Sequence, residues 1–411
     1  MRTAPVRRLT LLLALGVAVL AGTVVPSAAA VSGELRVLYV LATWGPAPFS
    51  HADAESVAAE TDAFFRASSS GRLSLPSSVV DLRLPRAVFD GCDATVLRNA
   101  APSATFDDAD RVVFVTPSVP ACQFHGEANP TEVLLNGHLS MPLAAHELGH
   151  TLGLGHASRW HCAAGACTVD EYGSEFSVMG LGGGDLNAFE KEKLQWLTGV
   201  VRPTGNGTFE IGPVDEATTL PQALVVTTAG GEFWFESRGR ETASWSGGPG
   251  QPPGIAVVAG PGNGAVRSPY PRENLLLAPG GGGRQAFAAG ESFVRPGVFR
   301  VHVERHVRES SALRFEWLDR AAPGRPSVTV SATRRGRARV TWDPAQDLGS
   351  GVRAYTLLVD RRAVRTFDGQ IPYLNASAQL RLARGFHRIG VLATDRAGNR
   401  GPSTSVRVRV R

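Results

Sequence analysis

The sequence predicts an α+β unit in its first half, followed by all-β, sandwich-like domains. Residues 34–200 mix short β-rich runs with helical patterns, whereas from Val201 onward the helical signal disappears. Past a proline-bearing linker at residues 323–326, short strands recur at regular spacing to the end of the chain, the pattern of a small β-sandwich. The boundaries read from these shifts are 1–30, 31–200, 201–322 and 324–411.

Residues 1–30 read as a secretory signal. Arg2, Arg7 and Arg8 give a positive start, residues 9–21 an apolar core, and Ala28, Ala29 and Ala30 a small-residue cleavage site. A membrane anchor is the weaker reading, because the apolar core is short and a cleavage site follows it. The chain is therefore expected to be secreted and extracellular, without a transmembrane anchor. Cys92, Cys122, Cys162 and Cys167 all lie beyond the signal, and an even count in an exported chain implies two disulfides in one of three pairings. Sequence proximity favours Cys92 with Cys122 and Cys162 with Cys167. A zinc finger is excluded, since no second close cysteine pair exists. Lys191 and Lys193 are the only lysines, so positive charge is nearly all arginine. That bias, with abundant Ala, Gly, Pro and Val, points to a GC-rich coding sequence and a bacterial source.

The elements follow in order. Residues 34–41 alternate and are β-rich, a strand; residues 50–67 carry apolar residues at helical spacing. Residues 111–115 form a short apolar run suited to a buried strand, and residues 131–137 another, closed by a turn pair. Helices are expected over 141–153 and 187–197, so that a mixed sheet is backed by two or three helices. In the second half, residues 224–228, 232–237 and 299–304 read as strands, with loops at 247–254 and 280–283. The last domain has strands at 328–330, 338–342, 354–359 and 387–394.

Residues 146–156 carry the chemistry. On a helix, His146 and His150 stand four residues apart on one face, so both imidazoles reach a single metal ion. Glu147 lies beside that ion without binding it, placed to take a proton from water. Gly153 lets the chain leave the helix sharply, and the turn returns His156 as a third ligand. Three neutral imidazoles with an open fourth position describe a catalytic zinc, whereas structural zinc sites close with four protein ligands. His302 and His306 are also four apart, but on a strand and without acidic or cysteine partners, and read as structural. His161 reads as a loop histidine, and His51, His125, His138 and His387 have no spacing partner.

The extended motif, together with Met179 in Ser177-Val178-Met179-Gly180, resembles the metzincin metallopeptidases. The surroundings are similar to gametolysin-type secreted members: Ala144 and Ala145 before the motif, Cys162, Cys167, Glu171-Tyr172-Gly173, and Leu186-Asn187-Ala188-Phe189 running into Lys191 and Trp196. The likeness covers about residues 34–200. It implies a metzincin catalytic domain, Zn2+ as cofactor on His146, His150 and His156, Met179 as an apolar floor that is not a ligand, and hydrolysis of peptide bonds in protein substrates with Glu147 as general base and acid. Leu181 stands where some metzincins carry a tyrosine ligand, so that ligand is not expected. An edge strand before the zinc helix pairs with extended substrate in such folds, and residues 131–137 are the candidate here. No room remains for a propeptide, and Cys92 reads as a disulfide partner rather than a latency switch. The last domain resembles fibronectin type III-like or related immunoglobulin-like modules at Trp342-Asp343-Pro344, Ala354-Tyr355 and Asp395-Arg396-Ala397-Gly398-Asn399.

Two competing functions remain open on sequence. A non-catalytic binding protein requires a lost ligand or a lost Glu147, and neither is missing. A hydrolase acting on an ester or a glycan-linked amide uses the same chemistry on another substrate. Charge adds one partner class: residues 324–411 hold 17 Arg against 5 Asp and no Glu, a net +12. With the three signal arginines also set aside from the overall +5, residues 31–323 carry −10. Such separation suits attraction of the last domain to an anionic polymer, an envelope polysaccharide or extracellular nucleic acid. Coding bias on a solvated spacer explains the arginine, though not the depletion of acids.

Overall fold

The computed structural model describes residues 30–85, 92–163, 166–242, 244, 250–260, 274–279, 283–333, 336–369 and 376–411, with 161–163, 166, 167, 332 and 333 by backbone alone. The signal reading at residues 1–29, part of the loops at 247–254 and 280–283, and the side chains of His161, Cys162 and Cys167 lie outside the described residues.

The first part runs β1 (Gly33–Glu34), β2 (Val37–Thr43), α1 (His51–Ser68), β3 (Leu73–Ser74), β4 (Ser77–Arg83), α2 (Ala94–Ala100), β5 (Arg111–Thr116), β6 (Gly126–Ala128), β7 (Glu132–Asn136) and α3 (Met141–Thr151). Its main sheet has the order β4-β2-β5-β7-β6, parallel throughout except for β6. Parallel strands are covered on both faces, and β2 shows it residue by residue. Val37, Tyr39 and Leu41 pack toward α1 and α3, while Leu38, Val40 and Ala42 pack with Leu97 of α2, Phe106 and Phe114. Ser50 starts α1 with a capping box: its hydroxyl accepts from the Asp53 backbone N–H, and the Asp53 carboxylate accepts from the Ser50 N–H. Ala54, Val57, Ala58, Thr61, Phe65 and Ser68 then recur at helical spacing on the buried face.

The second part continues with β8 (Ser158–Ala163), β9 (Ala166–Asp170), α4 (Ala188–Lys193), β10 (Val200–Val201), β11 (Gly207–Ile211), β12 (Ala223–Thr228), β13 (Gly231–Arg238), β14 (Gly254–Ala259), β15 (Leu275–Leu277), β16 (Ser292–Arg295), β17 (Phe299–His306) and β18 (Ser311–Trp317). A seven-stranded sheet β10-β12-β13-β14-β15-β8-β9 faces a four-stranded sheet β11-β18-β17-β16. Strand alternation sorts the side chains. Leu224, Val226, Phe233, Phe235 and Val257 meet Phe299, Val301, Phe315 and Trp317 between the sheets, whereas Val225, Trp234 and Val258 turn to Phe176 and to Ala188 and Phe189 of α4.

The last part holds β19 (Val328–Thr333), β20 (Arg337–Trp342), β21 (Val352–Val359), β22 (Arg362–Asp368), β23 (Ala376–Arg381), β24 (Gly385–Asp395) and β25 (Thr404–Val410). Sheets β19-β20-β23 and β22-β21-β24-β25 close over Val340, Trp342, Tyr355, Leu357, Ile389 and Val391, a seven-stranded sandwich.

Four readings of the sequence need correction. The strand at 131–137 is not at the sheet edge: β7 is buried along its whole length between β5 and β6, and the three-residue β6 takes the edge. Helix α4 is shorter than 187–197, because Gln195 adopts φ +59° and breaks it just after Leu194. Helix α3 stops at Thr151 rather than 153. A division at residue 200 also cuts through a sheet, since β8 pairs in parallel with β15 and carries β9 with it.

Cys92 and Cys122 form a disulfide across a separation of 30 residues. Cys162 and Cys167 face each other in the β8–β9 register. Closing the longer loop restricts the unfolded chain, so replacing Cys92 and Cys122 by serine should lower unfolding free energy by about 3–4 kcal/mol in denaturant titrations. Loss of less than about 1 kcal/mol would show that the bridge leaves the unfolded ensemble unconstrained.

Candidate metal centre

Helix α3 carries the buried His146 and Glu147 and the half-buried His150. The helix ends against Gly153, whose φ of +86° is open to glycine at little cost, and the reversed chain delivers His156 five residues past the helix end. One nitrogen from each of His146, His150 and His156 lies within 4.8 Å of the other two.

Each ring is tied at the opposite nitrogen. His146 Nδ1 donates to the Val178 carbonyl at 2.8 Å, His150 Nδ1 to the Leu154 carbonyl at 2.9 Å, and His156 Nδ1 to Glu171 Oε1 at 2.8 Å. Donation from Nδ1 leaves Nε2 with its lone pair, the tautomer a metal needs, and holds the rings in place. Burial and the neighbouring His150 push the pKa of His146 down to about 3. Burial also lowers that of His150. Both rings are thus held neutral. Three imidazoles fit a zinc ion with one position left for substrate chemistry, and no fourth His, Cys, Asp or Glu joins the group among the described residues.

Burial raises the Glu147 pKa to about 8, with Glu127 of β6 adding like charge. Strand β6 runs directly over this carboxylate, with Gly126 against it. Beneath, Met179 is wholly buried, and its sulfur fills the space that a Cβ on Gly149 would need. Its turn is held by Met179 N–H donating to Ser177 Oγ at 3.0 Å and Ala157 N–H to the Met179 carbonyl at 2.9 Å.

Three contributors have no role in the sequence reading: Glu171 and Tyr172 enter it only as part of the family likeness, and Asn274 not at all. Glu171 orients His156. Tyr172 lays its ring 4.3 Å from that of His156 and 6.0 Å from that of His146. Asn274, 118 residues away, donates from Nδ2 to the His156 carbonyl at 3.2 Å and to Glu190 Oε1 at 2.7 Å. No spacing rule ties these positions to the motif. Among the described residues, no other histidine joins the group. His302 and His306 bond Ser292 and Ser311, and His387 pairs with Asp360. His125 and His138 meet edge to face, with ring centroids 3.9 Å apart.

No protein-family model matches the chain, and no curated protein matches it. Solved structures match it in part. Fibronectin(III)-like modules of Clostridium thermocellum CbhA are 19% identical over 21% of this chain and 94% of theirs, with a TM-score of 0.18. Domains d3–d4 of the rat CD45 extracellular region are 14% identical over 35% of this chain and 79% of theirs, at 0.20. The Clostridium perfringens spore cortex lytic enzyme SleM is 13% identical over 24% of this chain and 33% of its own, at 0.19. Fibronectin III-like modules recur among the neighbours, and likenesses this slight carry no argument about this chain's domains or its histidine centre.

Replacing Glu171 by Gln keeps the shape and removes the charge behind His156. Zinc affinity, measured by chelator competition, should fall about 10–100-fold, the usual cost of losing an outer partner. Unchanged affinity would remove Glu171 from the centre.

Proposed function

We propose that the chain is a secreted, zinc-dependent endopeptidase with a metzincin-type catalytic unit, cleaving peptide bonds of extracellular proteins. The observation that carries this reading is the convergence of three Nδ1-tied imidazoles beside a buried carboxyl on the same helix. His146, His150 and His156 would hold the ion, and zinc when bound supplies Lewis acidity toward water and the scissile carbonyl. Glu147 takes the proton of the attacking water and returns it to the leaving amine. Strand β6, at the end of its sheet and over Glu147, offers an edge along which an extended peptide can lie. That geometry supports a peptide over an ester or a glycan-linked amide. The Cys92–Cys122 disulfide supports an extracellular setting, and no helix among the described residues is long and apolar enough to cross a membrane.

Glu147→Gln should retain zinc and cut the rate on an unfolded protein substrate by about 10²–10⁴, since the proton carrier is lost. Parent-like cleavage by that variant would overturn the mechanism, and a folded, zinc-loaded parent that cleaves no peptide would overturn the function.

The C-terminal module serves in this reading as an anchor to an acidic surface polymer. Arg362 and Arg365 of β22 and Arg407 and Arg409 of β25 are exposed, the latter two with guanidinium carbons 4.5 and 5.5 Å from the centre of the exposed Phe386 ring. Retention of the full protein on dextran sulfate should weaken steeply along a salt series, and less steeply once these four arginines are replaced by serine. Equal retention of parent and variant at low salt would contradict the anchor.

A further inference from the structure

Away from the histidine centre, three carboxylates meet where the facing sheets of the second part give way to the last part of the chain. Asp319 follows β18, Asp347 lies in the loop after β20, and Asp395 ends β24; one oxygen from each lies within 4.8 Å of the other two. Asp319 and Asp395 are 2% and 0% exposed. Burying like charges together is costly, and the remedy proteins use is a counter-charge within reach. No Lys, Arg or His pairs with any of the three among the described residues. Arg396 feels the charge of Asp347, but its Nη1 donates to the Ser350 and Val352 carbonyls. The module has 17 arginines for 5 aspartates, and still two of those five stand here without a salt bridge.

Hydrogen bonds account for most of the carboxylate oxygens. Asp319 accepts from Ala321 N–H and Ser350 N–H at 2.9 and 2.7 Å. Asp395 accepts from the N–H and Nδ2 of Asn399 at 2.7 and 2.9 Å. Asp347 Oδ1 accepts from Gly349 N–H at 2.8 Å. Asp347 Oδ2 is the exception, shut away from solvent and without a hydrogen-bond partner. A buried acceptor left without a partner is expensive, and a cation in the space beside it would remove that cost.

We propose that Asp319, Asp347 and Asp395 form a calcium site that locks the C-terminal module onto the preceding β-domain. An all-carboxylate donor set is hard, which favours Ca2+ over the zinc that imidazoles select. Calcium accepts irregular oxygen shells, whereas Mg2+ demands near-octahedral geometry and gives up water reluctantly. Entry is available because Asp347, the least buried of the three, lines an open cleft of about 580 Å³ together with Glu232 and Tyr355. The site's elements already bridge the two parts: Ser350 N–H reaches Asp319, Asn399 Nδ2 donates to the Asp319 and Ala321 carbonyls, and Ala229 N–H to the Gly349 carbonyl. The ion would neutralise the repulsion that otherwise loosens this junction.

The test uses the full chain, chelator-treated and reloaded with zinc, titrated with CaCl2 or MgCl2 and followed by calorimetric binding and thermal unfolding. One Ca2+ should bind per chain with a dissociation constant of about 10⁻⁴–10⁻³ M, as in extracellular modules, and raise the melting temperature where equal Mg2+ does not. Asp347→Asn should weaken that binding about tenfold or more and abolish the calcium-dependent shift. Without calcium, the same variant should melt at or above the parent, because a repelling charge is gone. No calcium response in the parent, a parent-like response in Asp347→Asn and Asp395→Asn, or a calcium-free Asp347→Asn that melts below the calcium-free parent would each overturn the site. None of these readouts depends on peptidase activity.

Discussion

A buried carboxyl, Glu190, holds the histidine centre to the rest of the molecule. Its Oε2 accepts from Ser177 Oγ and Asn187 N–H, each at 2.7 Å, and its Oε1 accepts from Asn274 Nδ2. Ser177 sets the turn under the ligands, Asn187 starts α4, and Asn274 enters β15 and grips the His156 backbone. The turn at Ser177, the start of α4 and Asn274, 84 residues beyond Glu190, therefore share one polar web around a group with 1% exposure. Burial pushes the Glu190 pKa to about 7, and each donor left orphaned by its removal would cost about 1–3 kcal/mol.

The same logic explains why the β-domain cannot be regarded as an appendage. Glu236 of β13, fully buried with Arg238, accepts from the Ala188 N–H at the start of α4, and Arg238 donates to the Leu186 carbonyl. Lys191 reaches Asp185 and the Val214 carbonyl, both at 2.7 Å, while Asp185 also accepts from Ser68 of α1. Breaking one member would strand its partners without water, which is why such networks hold their geometry. His156, the turn at Met179 and the facing sheets of the second part thus rest on one another.

Legibility in the sequence follows physical range. Helix α3 could be read because its two histidines are spaced by the helix itself, and Gly153 because a sharp exit needs a residue that tolerates positive φ. Most long strands were legible from alternation or apolar runs, as with β2, β5 and β13. Strand β6 was not, being three residues with no apolar signature, and so the edge was assigned to β7. The parallel pairing of β8 with β15 leaves no local trace, nor does the recruitment of Asn274 from across the chain. Glu171 and Tyr172 were visible as a family likeness, but their places against His156 depend on a loop whose path spacing does not encode.

Everything proposed for the centre depends on its being an open, three-imidazole zinc site. X-ray absorption at the zinc edge of the purified protein reads that directly. The account predicts about one zinc per chain, with three imidazole nitrogens and one oxygen at about 2.0–2.1 Å. A shell of four protein ligands, or any sulfur at about 2.3 Å, would contradict it.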